Sequence, residues 1–300
     1  MDVDTRLLRY FVAVAEEGHL TRAAGRLFVS QPALTKQIKQ LENRLGVQLF
    51  ERSHTGMTLT AAGRVLAEEV PTLLADWDRM LRAAKGDAAQ EARLLRVGFI
   101  ASAANEFTAD IVAAFRAEHP DWRIDMRQFG WTDPSAGLAD GEVDLALVRM
   151  PFPGQESYRF RELFSEPRWI ALPAAHPLAQ QTEIAFEQLW SEPFVAAPPE
   201  NGSWRDFWIG ADERPADTAV VGAIAHNTDE WLTAIGNGFG ISFTPASSAR
   251  YYPRPGIVYR PVTGIGPSVV AVAWPAAAES NPLVHSFIHC CLTVTRSVGQ

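Results

Sequence analysis

Residues 20–52 read LTRAAGRLFVSQPALTKQIKQLENRLGVQLFER, and the caps, small residues and apolar spacings in this stretch decide the fold of the N-terminal region. Thr21 predicts the cap of a short helix, Thr21–Leu27, in which Ala23-Ala24-Gly25 lets another helix approach closely. After Phe28-Val29, Ser30 offers a second N-cap, and Pro32 falls in the first turn, where its missing N–H costs little. The next helix places Leu34, Ile38, Leu41 and Leu45 on one side, and Gly46 closes it. Gln31, Thr35, Lys36, Lys39 and Gln40 fall on the opposite side. Such a face suits either a solvated surface or the DNA major groove. There glutamine can grip adenine N6 and N7, lysine can reach guanine O6 and N7, and threonine can touch a thymine methyl.

Working outward, Leu7, Leu8, Phe11, Val14 and Ala15 repeat at helical spacing and Gly18 ends that helix, completing a three-helix core. On the other side, Val47-Gln48-Leu49-Phe50 starts a strand, Ser53-His54-Thr55-Gly56 turns, and Met57-Thr58-Leu59 returns. This small hairpin would carry Arg52 and His54 near its tip. Thr60 caps a long helix bearing Leu66, Val70, Leu73, Trp77, Met80 and Ala84 at heptad spacing. The stripe fits a partner helix or packing against its own domain. Pro71 predicts a kink near Ala67, and Gly86-Asp-Ala-Ala-Gln90 is expected to end the helix.

Charge is distributed unevenly. The net charge is −8, yet residues 1–90 hold 12 of the 27 basic and 11 of the 35 acidic residues. The acidic surplus therefore lies beyond residue 90. Arg22, Arg26, Lys36, Lys39, Arg44 and Arg52 concentrate positive charge around the quoted stretch, as phosphate binding requires. A chain of 300 residues, 47% hydrophobic and 21% charged, suits about two globular domains. No apolar run reaches the roughly 18 residues of a membrane span, and acids stand where a signal peptide carries basic residues. A cytoplasmic protein without membrane contact is expected. Cys290 and Cys291 are adjacent and read as small buried helix residues rather than a disulfide. His285, His289 and Cys290 share a helical neighbourhood without a further ligand cluster, so neither metal nor other cofactor is expected.

Beyond residue 90 the pattern changes to alternating strands and helices. Strands are expected at Leu94–Ile100, Trp122–Gln128 and Val143–Val148, with helices at Phe107–Glu118 and Pro134–Gly141, an order that predicts a parallel sheet. Phe160–Phe164 and Arg168–Pro173 are expected to leave this lobe. Phe194–Ala197, Val220–Ala225 and Gly240–Phe243, with helices Ser203–Ile209 and Thr228–Asn237, would build a second lobe. Val269–Trp274 and Pro282–Val294 would return to the first. Ligands of open parallel sheets sit beyond the carboxyl ends of the strands. Those ends are Ala101-Ser102-Ala103, Gly130-Trp131-Thr132-Asp133 and Arg149. Ser102 at a helix start suits an anion. Arg149 fits either a ligand carboxylate, gripped bidentately, or an internal ion pair, and Trp131 either a flat ligand wall or core packing. Gly202-Ser203-Trp204 and Asn227-Thr228 are comparable helix starts in the second lobe. A small organic anion, an aromatic or unsaturated carboxylate, is the expected ligand.

Enzyme readings find little. Gly236-Asn-Gly238-Phe-Gly240 ends a helix and starts a strand, the reverse of a phosphate-cradling loop. No Gly-x-Ser-x-Gly, Walker or HExxH motif occurs, and His226, Asp229 and Glu230 read as a structural helix start.

The segments Phe11-Val-Ala-Val-Ala-Glu-Glu-Gly18, Thr21-Arg-Ala-Ala24, Ser30-Gln-Pro-Ala-Leu34, Ile38-Lys-Gln-Leu-Glu42, Leu45-Gly46, Leu49-Phe-Glu-Arg52 and Leu59-Thr-Ala-Ala-Gly63 together resemble the LysR-type transcriptional regulators. Looser likenesses follow at Leu95-Arg-Val-Gly98, Leu138-Ala-Asp-Gly-Glu-Val-Asp-Leu145, Ala171-Leu-Pro-Ala-Ala-His-Pro-Leu178 and Gly238-Phe-Gly-Ile-Ser242, so the resemblance covers nearly the whole chain. It implies a winged helix-turn-helix over 1–60, a dimerising linker helix over 61–90, and an effector-binding domain over 91–300 like periplasmic solute-binding proteins. Lobe I would take about 91–163 and 268–300, and lobe II about 168–263. The resemblance implies that Gln31, Pro32, Thr35 and Lys36 face the groove, while Thr21, Ser30, Arg52 and the wing with His54 contact phosphates or the minor groove. Arg22 and Lys39, from the basic set, join them. His54-Thr55 departs from the basic residues common there. By position Ser102, Trp131, Thr132, Arg149, Ser203, Trp204, Asn227 and Thr228 match effector-contacting loops. The implied partners are double-stranded DNA, a small-molecule effector and further copies of the chain, as homodimer or homotetramer, with RNA polymerase a further candidate. The implied protein regulates transcription and is not an enzyme. A solute-binding component of a transport system is the alternative, since the C-terminal fold class serves both.

Overall fold

The computed structural model describes residues 3–27, 29–53, 56–91, 93–101, 103, 105–215 and 219–297. Two compact units divide between Lys85 and Gly86.

In the first unit, α1 (Thr5–Glu17), α2 (Leu20–Arg26) and α3 (Gln31–Leu45) precede a two-stranded antiparallel hairpin, β1 (Phe50–Ser53) and β2 (Gly56–Leu59). Leu7, Phe11, Val14, Ala23, Leu34, Ile38, Leu41, Leu49 and Phe50 form one buried cluster. Full burial of each Leu or Phe contributes about 1.5–3 kcal/mol, and the Phe11 and Phe50 rings meet at 5.3 Å between centroids. The Asp4 carboxylate caps α1 by accepting from Arg6 N at 2.8 Å, and Gly18 and Gly46 end α1 and α3 in left-handed backbone. Ser30 caps α3 as expected, its Oγ accepting from Ala33 N at 3.3 Å. Thr21 does not cap α2: the helix starts one residue earlier, and His19 Nδ1 accepts from Thr21 N at 3.2 Å. The hairpin ladder begins at Phe50 rather than Val47. The Glu42 carboxylate draws the Leu49 and Phe50 amides instead, at 2.8 and 3.3 Å, and so ties the end of α3 to the strand.

Thr60 caps α4 (Ala61–Glu91), accepting from Gly63 N at 3.0 Å while donating to the Gln48 carbonyl at 2.7 Å. Gly63 is required by close approach, since a Cβ there would stand 2.1 Å from the Leu49 carbonyl oxygen. The helix runs through Pro71 and past Gly86 to Glu91. One glycine costs about 1 kcal/mol in a helix, too little to stop a segment continued by Ala88, Ala89 and Gln90. Leu73, Trp77 and Met80, from the heptad stripe, remain 54%, 42% and 56% exposed.

The second unit runs, after α4, through β3 (Leu94–Ile100), α5 (Thr108–Glu118), β4 (Arg123–Phe129), β5 (Leu145–Met150), β6 (Tyr158–Glu166), β7 (Arg168–Pro173), β8 (Ile184–Ala185), β9 (Pro193–Ala196), α6 (Ser203–Ile209), β10 (Val220–Ile224), α7 (Thr228–Gly236), β11 (Ser242–Pro245), α8 (Ser248–Tyr251), β12 (Ile257–Thr263), β13 (Ser268–Pro275) and α9 (Pro282–Ser297). The first lobe holds a sheet in the order β4-β3-β5-β13-β6. Strands β4, β3 and β5 are parallel, as expected, but β13 lies antiparallel between β5 and β6, so the sheet is mixed. Strand β6 therefore stays in the first lobe through Glu166, beyond the expected boundary at 163; β7 is the strand that leaves. In the second lobe β7 lies antiparallel between β11 and β12, β8 pairs with β12, and β9 and β10 pair in parallel. The chain crosses between the sheets twice, at 166–168 and 263–268.

The expected helix at Pro134–Gly141 is instead a run of turns. Ala136 and Gly137 take positive φ, and the Asp133 carboxylate accepts from Ser135 N and Gly137 N at 3.0 and 2.7 Å. The Ala136 carbonyl then presses on β3, where a Cβ on Gly98 would stand 1.9 Å from it.

Candidate functional site: a polar helix face and an aromatic cleft

The first site is the outer face of α3. Gln31, Pro32, Lys36 and Lys39 are exposed and Thr35 half-buried. Gln31 Nε2 donates to Thr35 Oγ1 at 3.1 Å while that hydroxyl donates to the Gln31 carbonyl at 2.9 Å, presenting amide and hydroxyl as one unit. Pro32, Thr35, Lys36, Lys39 and Gln40 line an open groove that Asn43 and Arg44 continue. Sequence reasoning missed these last two as site residues, although they follow Gln40 by three and four positions, the spacing of one helix face.

The other expected contacts are placed unequally. Ser30 spends its oxygen on the cap. Thr21 is exposed on α2. Arg22 turns back to Glu17, with Nε 3.6 Å from the carboxylate and Nη2 on the Glu17 carbonyl. Arg52 lies in β1 beside the turn. His54 lies outside the described residues. The Met57 amide donates to the Gly18 carbonyl at 2.8 Å, so the hairpin is fastened to the turn between α1 and α2.

The second site is a cleft of about 520 Å3, its open mouth included, in the C-terminal unit. Trp131, Trp204, Trp208, Trp231 and Tyr252 are among its lining residues, and Thr228 reaches it from the first residue of α7. Trp131 meets Trp204 at 5.9 Å and Trp231 at 6.0 Å between centroids, both at steep angles. Its backbone is pinned from the second lobe. Trp131 N donates to the His226 carbonyl at 3.0 Å, and Asn201 Nδ2, itself buried, donates to the Trp131 carbonyl.

Of the expected ligand contacts, Trp131, Trp204 and Thr228 come together here. Thr132 and Ser203 are exposed and outside the lining. Asn227 is also outside it and caps α7, accepting from Glu230 N at 3.0 Å and donating to Glu230 Oε1 at 2.9 Å. With hydrogen bonds from His226 as the largest cause, the Glu230 carboxyl lies below its ordinary range. Ser102 lies outside the described residues.

Arg149 lies outside this lining and is engaged in an internal ion pair. Only 1% exposed, it donates to Glu166 Oε1 and Ser268 Oγ, both at 2.6 Å. Glu166 in turn accepts from Ser247 N at 2.8 Å. Burial pulls the guanidinium pKa down while Glu166 pulls it up, the signature of an internal ion pair. Arg168, equally buried, donates to the Gly266 and Phe207 carbonyls at 2.7 Å each and pairs with Glu213. The two arginines thus bind both crossover segments. Sequence reasoning missed Trp208, Trp231 and Tyr252. Trp208 follows Trp204 by four positions on α6, a readable signal, whereas Tyr252 arrives through tertiary contact alone.

Comparison with known proteins agrees with this geometry. Residues 5–64 match the family described as bacterial regulatory helix-turn-helix protein, lysR family, and residues 88–296 match the LysR substrate binding domain. The Hca operon transcriptional activator HcaR of Escherichia coli (strain K12) is 34% identical over 292 residues, covering 95% of this chain and 96% of its own. The HTH-type transcriptional regulator AlsR of Bacillus subtilis (strain 168) is 30% identical over 290 residues, covering 96% and 95%. A crystal structure of a full-length BenM variant superposes with a TM-score of 0.57 at 26% identity, covering 99% of this chain and 98% of that one.

Proposed function

The chain belongs to the LysR family of transcriptional regulators, and from that premise we propose that α3 reads DNA bases while the tryptophan-walled cleft takes a small aromatic or unsaturated carboxylate as effector. The observation that carries the DNA half is the groove from Pro32 to Arg44 on one face of α3, with Gln31 joined to it through Thr35. The Ser30 cap fixes one end of the helix and the Glu42 carboxylate fixes the other.

Double-stranded DNA is the macromolecular partner. The exposed Leu73, Trp77 and Met80 stripe on α4 supports self-association through a helix pair, placing two reading heads on a near-palindromic site. RNA polymerase is a further partner of a cytoplasmic regulator. The aromatic walls favour a flat effector, but Arg149 plays no part in holding it. Effector binding acts by preferring one relative arrangement of the lobes, since a ligand shifts an equilibrium only through differential affinity. A transport role leaves the helix-turn-helix match and the named regulators among the relatives without explanation.

The test is footprinting on the DNA flanking the gene for this chain, with and without aromatic acids. Gln31→Ala should relax base preference at one half-site position by about 1–3 kcal/mol. A loss of affinity uniform across all sequences would reduce Gln31 to a scaffold contact and refute the reading.

A further inference from the structure

Along the outer face of α3, Gln31 is held where several of its neighbours are not. Lys36, Lys39 and Gln40 make no side-chain hydrogen bond or ion pair among the described residues. Gln31 Nε2, by contrast, donates to Thr35 Oγ1 at 3.1 Å, and the Thr35 hydroxyl donates to the Gln31 carbonyl at 2.9 Å. The Gln31 backbone is itself fixed, standing between the Ser30 cap and Pro32 in the first turn of the helix.

A hydroxyl has one proton and two lone pairs. Thr35 follows Gln31 by four positions, so its proton reaches the carbonyl of the preceding turn, a bond that also selects the threonine rotamer. What remains on the oxygen only accepts. It therefore takes the amide nitrogen of Gln31 and refuses the amide oxygen. Turning the amide over would set two acceptors face to face, or strip the hydroxyl from its carbonyl, so two hydrogen bonds would become at most one. Thr35 thus decides which way the Gln31 amide points. A primary amide carries two N–H protons and one carbonyl oxygen. With one proton spent on Thr35, Gln31 offers the groove one donor beside one acceptor. Adenine presents the complement, its N7 acceptor next to its N6 donor, whereas guanine presents two acceptors, N7 and O6. A glutamine free to rotate can aim both protons at guanine; one held by Thr35 cannot.

We propose that Thr35 is the positioning residue that makes Gln31 an adenine reader, acting through the Gln31 amide rather than on a base of its own. The assignment rests on the reading of α3 as the helix that meets DNA bases, and it specifies how one of those contacts gains its preference.

The test selects binding sites for the full-length protein from a pool of random-sequence duplexes. It compares the parent with Thr35→Val, Thr35→Ala, Thr35→Ser, Gln31→Ala and the double variant Gln31→Ala with Thr35→Val. In the parent, one position per half-site should prefer adenine and lose that preference with Gln31→Ala. Thr35→Val and Thr35→Ala remove the hydroxyl, so the same position should lose at least about threefold of its discrimination against guanine, the scale of one net hydrogen bond. The other positions should keep theirs. Thr35→Ser retains the hydroxyl and should keep the parent preference, and in the Gln31→Ala background Thr35→Val should change nothing further at that position. Valine keeps the β-branch and alanine favours the helix, so unchanged thermal unfolding is expected of at least one hydroxyl-free variant. Adenine preference intact in the folded hydroxyl-free variants, relaxation at a position that Gln31→Ala leaves alone, or equal relaxation in Thr35→Ser would overturn the proposal. A parent that selects no motif, or a motif that ignores Gln31→Ala, would instead sink the base-reading role of the helix and the proposal with it, so the two failures are told apart.

Discussion

Replacing Arg149 by methionine separates a structural cation from a ligand-binding one. The side chain keeps a similar stem but loses the donors to Glu166 and Ser268. It would leave a mostly buried carboxylate, 12% exposed in its side chain, with its remaining support from Ser247. Removing one partner of a buried ion pair costs about 3–5 kcal/mol, whereas removing both costs far less, because desolvation of the pair offsets most of its attraction. Arg149→Met should therefore lower stability by about 3–5 kcal/mol, and adding Glu166→Gln should recover at least about 1 kcal/mol of that. Eight of the nine tryptophans lie in the C-terminal unit, so urea unfolding followed by tryptophan fluorescence reports on the right region. With a slope of about 2–3 kcal/mol/M, the single substitution should move the midpoint down by about 1–2 M. A midpoint within about 0.3 M of the parent protein, or a double variant weaker than the single one, would refute the ion-pair argument and return Arg149 to the ligand.

Other perturbations follow from the same geometry. Gly63→Ala sets helix propensity, about 1 kcal/mol in its favour, against a Cβ 2.1 Å from the Leu49 carbonyl oxygen. The collision wins, so the N-terminal unit should lose about 1–3 kcal/mol by calorimetry. Introducing Leu73→Glu with Met80→Glu into the exposed stripe of α4 should weaken self-association at least about a hundredfold by sedimentation, since two apolar side chains per copy lose their burial. Burial pushes the Cys290 thiol up to about 11 and raises Cys291 well above its ordinary value of 9.0. Both should resist iodoacetamide at pH 8 until urea is added. Because these folded-state values are raised, their stabilising contribution is complete below pH 9 and declines as pH rises toward 11; a melting temperature flat across that interval would contradict it.

Local signals proved the most legible. Ser30, Gly18 and Gly46 punctuate α1 and α3 as their chemistry dictates, and β3 and α6 fall on their expected residues. A histidine as N-cap of α2 had no such signature, because its ring nitrogen acts as an acceptor only when the backbone brings Thr21 N to it. Segment Pro134–Gly141 carries Ala136, Leu138 and Ala139, but three positive-φ residues, two of them glycines, and the Asp133 carboxylate hold it in turns. Pairing partners were the least visible. Strand β12 had not been anticipated, and the antiparallel placement of β13 depends on contacts more than a hundred residues apart. The ion pair of Arg149 was hidden for the same reason: Ser268, one of its partners, is 119 positions away. Part of the aromatic cleft was foreseeable from Trp131 and Trp204, while Trp231 and Tyr252 join through packing that periodicity does not encode.

The double pinning of Trp131, amide on His226 and carbonyl under Asn201, has a mechanical meaning. It stitches a loop of one lobe to two loops of the other directly beside the cleft. Any shift of one lobe against the other at this point must break both bonds or carry the Trp131 backbone along with it. The cleft wall and the junction of the lobes are thereby joined in a single mechanical element, and what strains one strains the other.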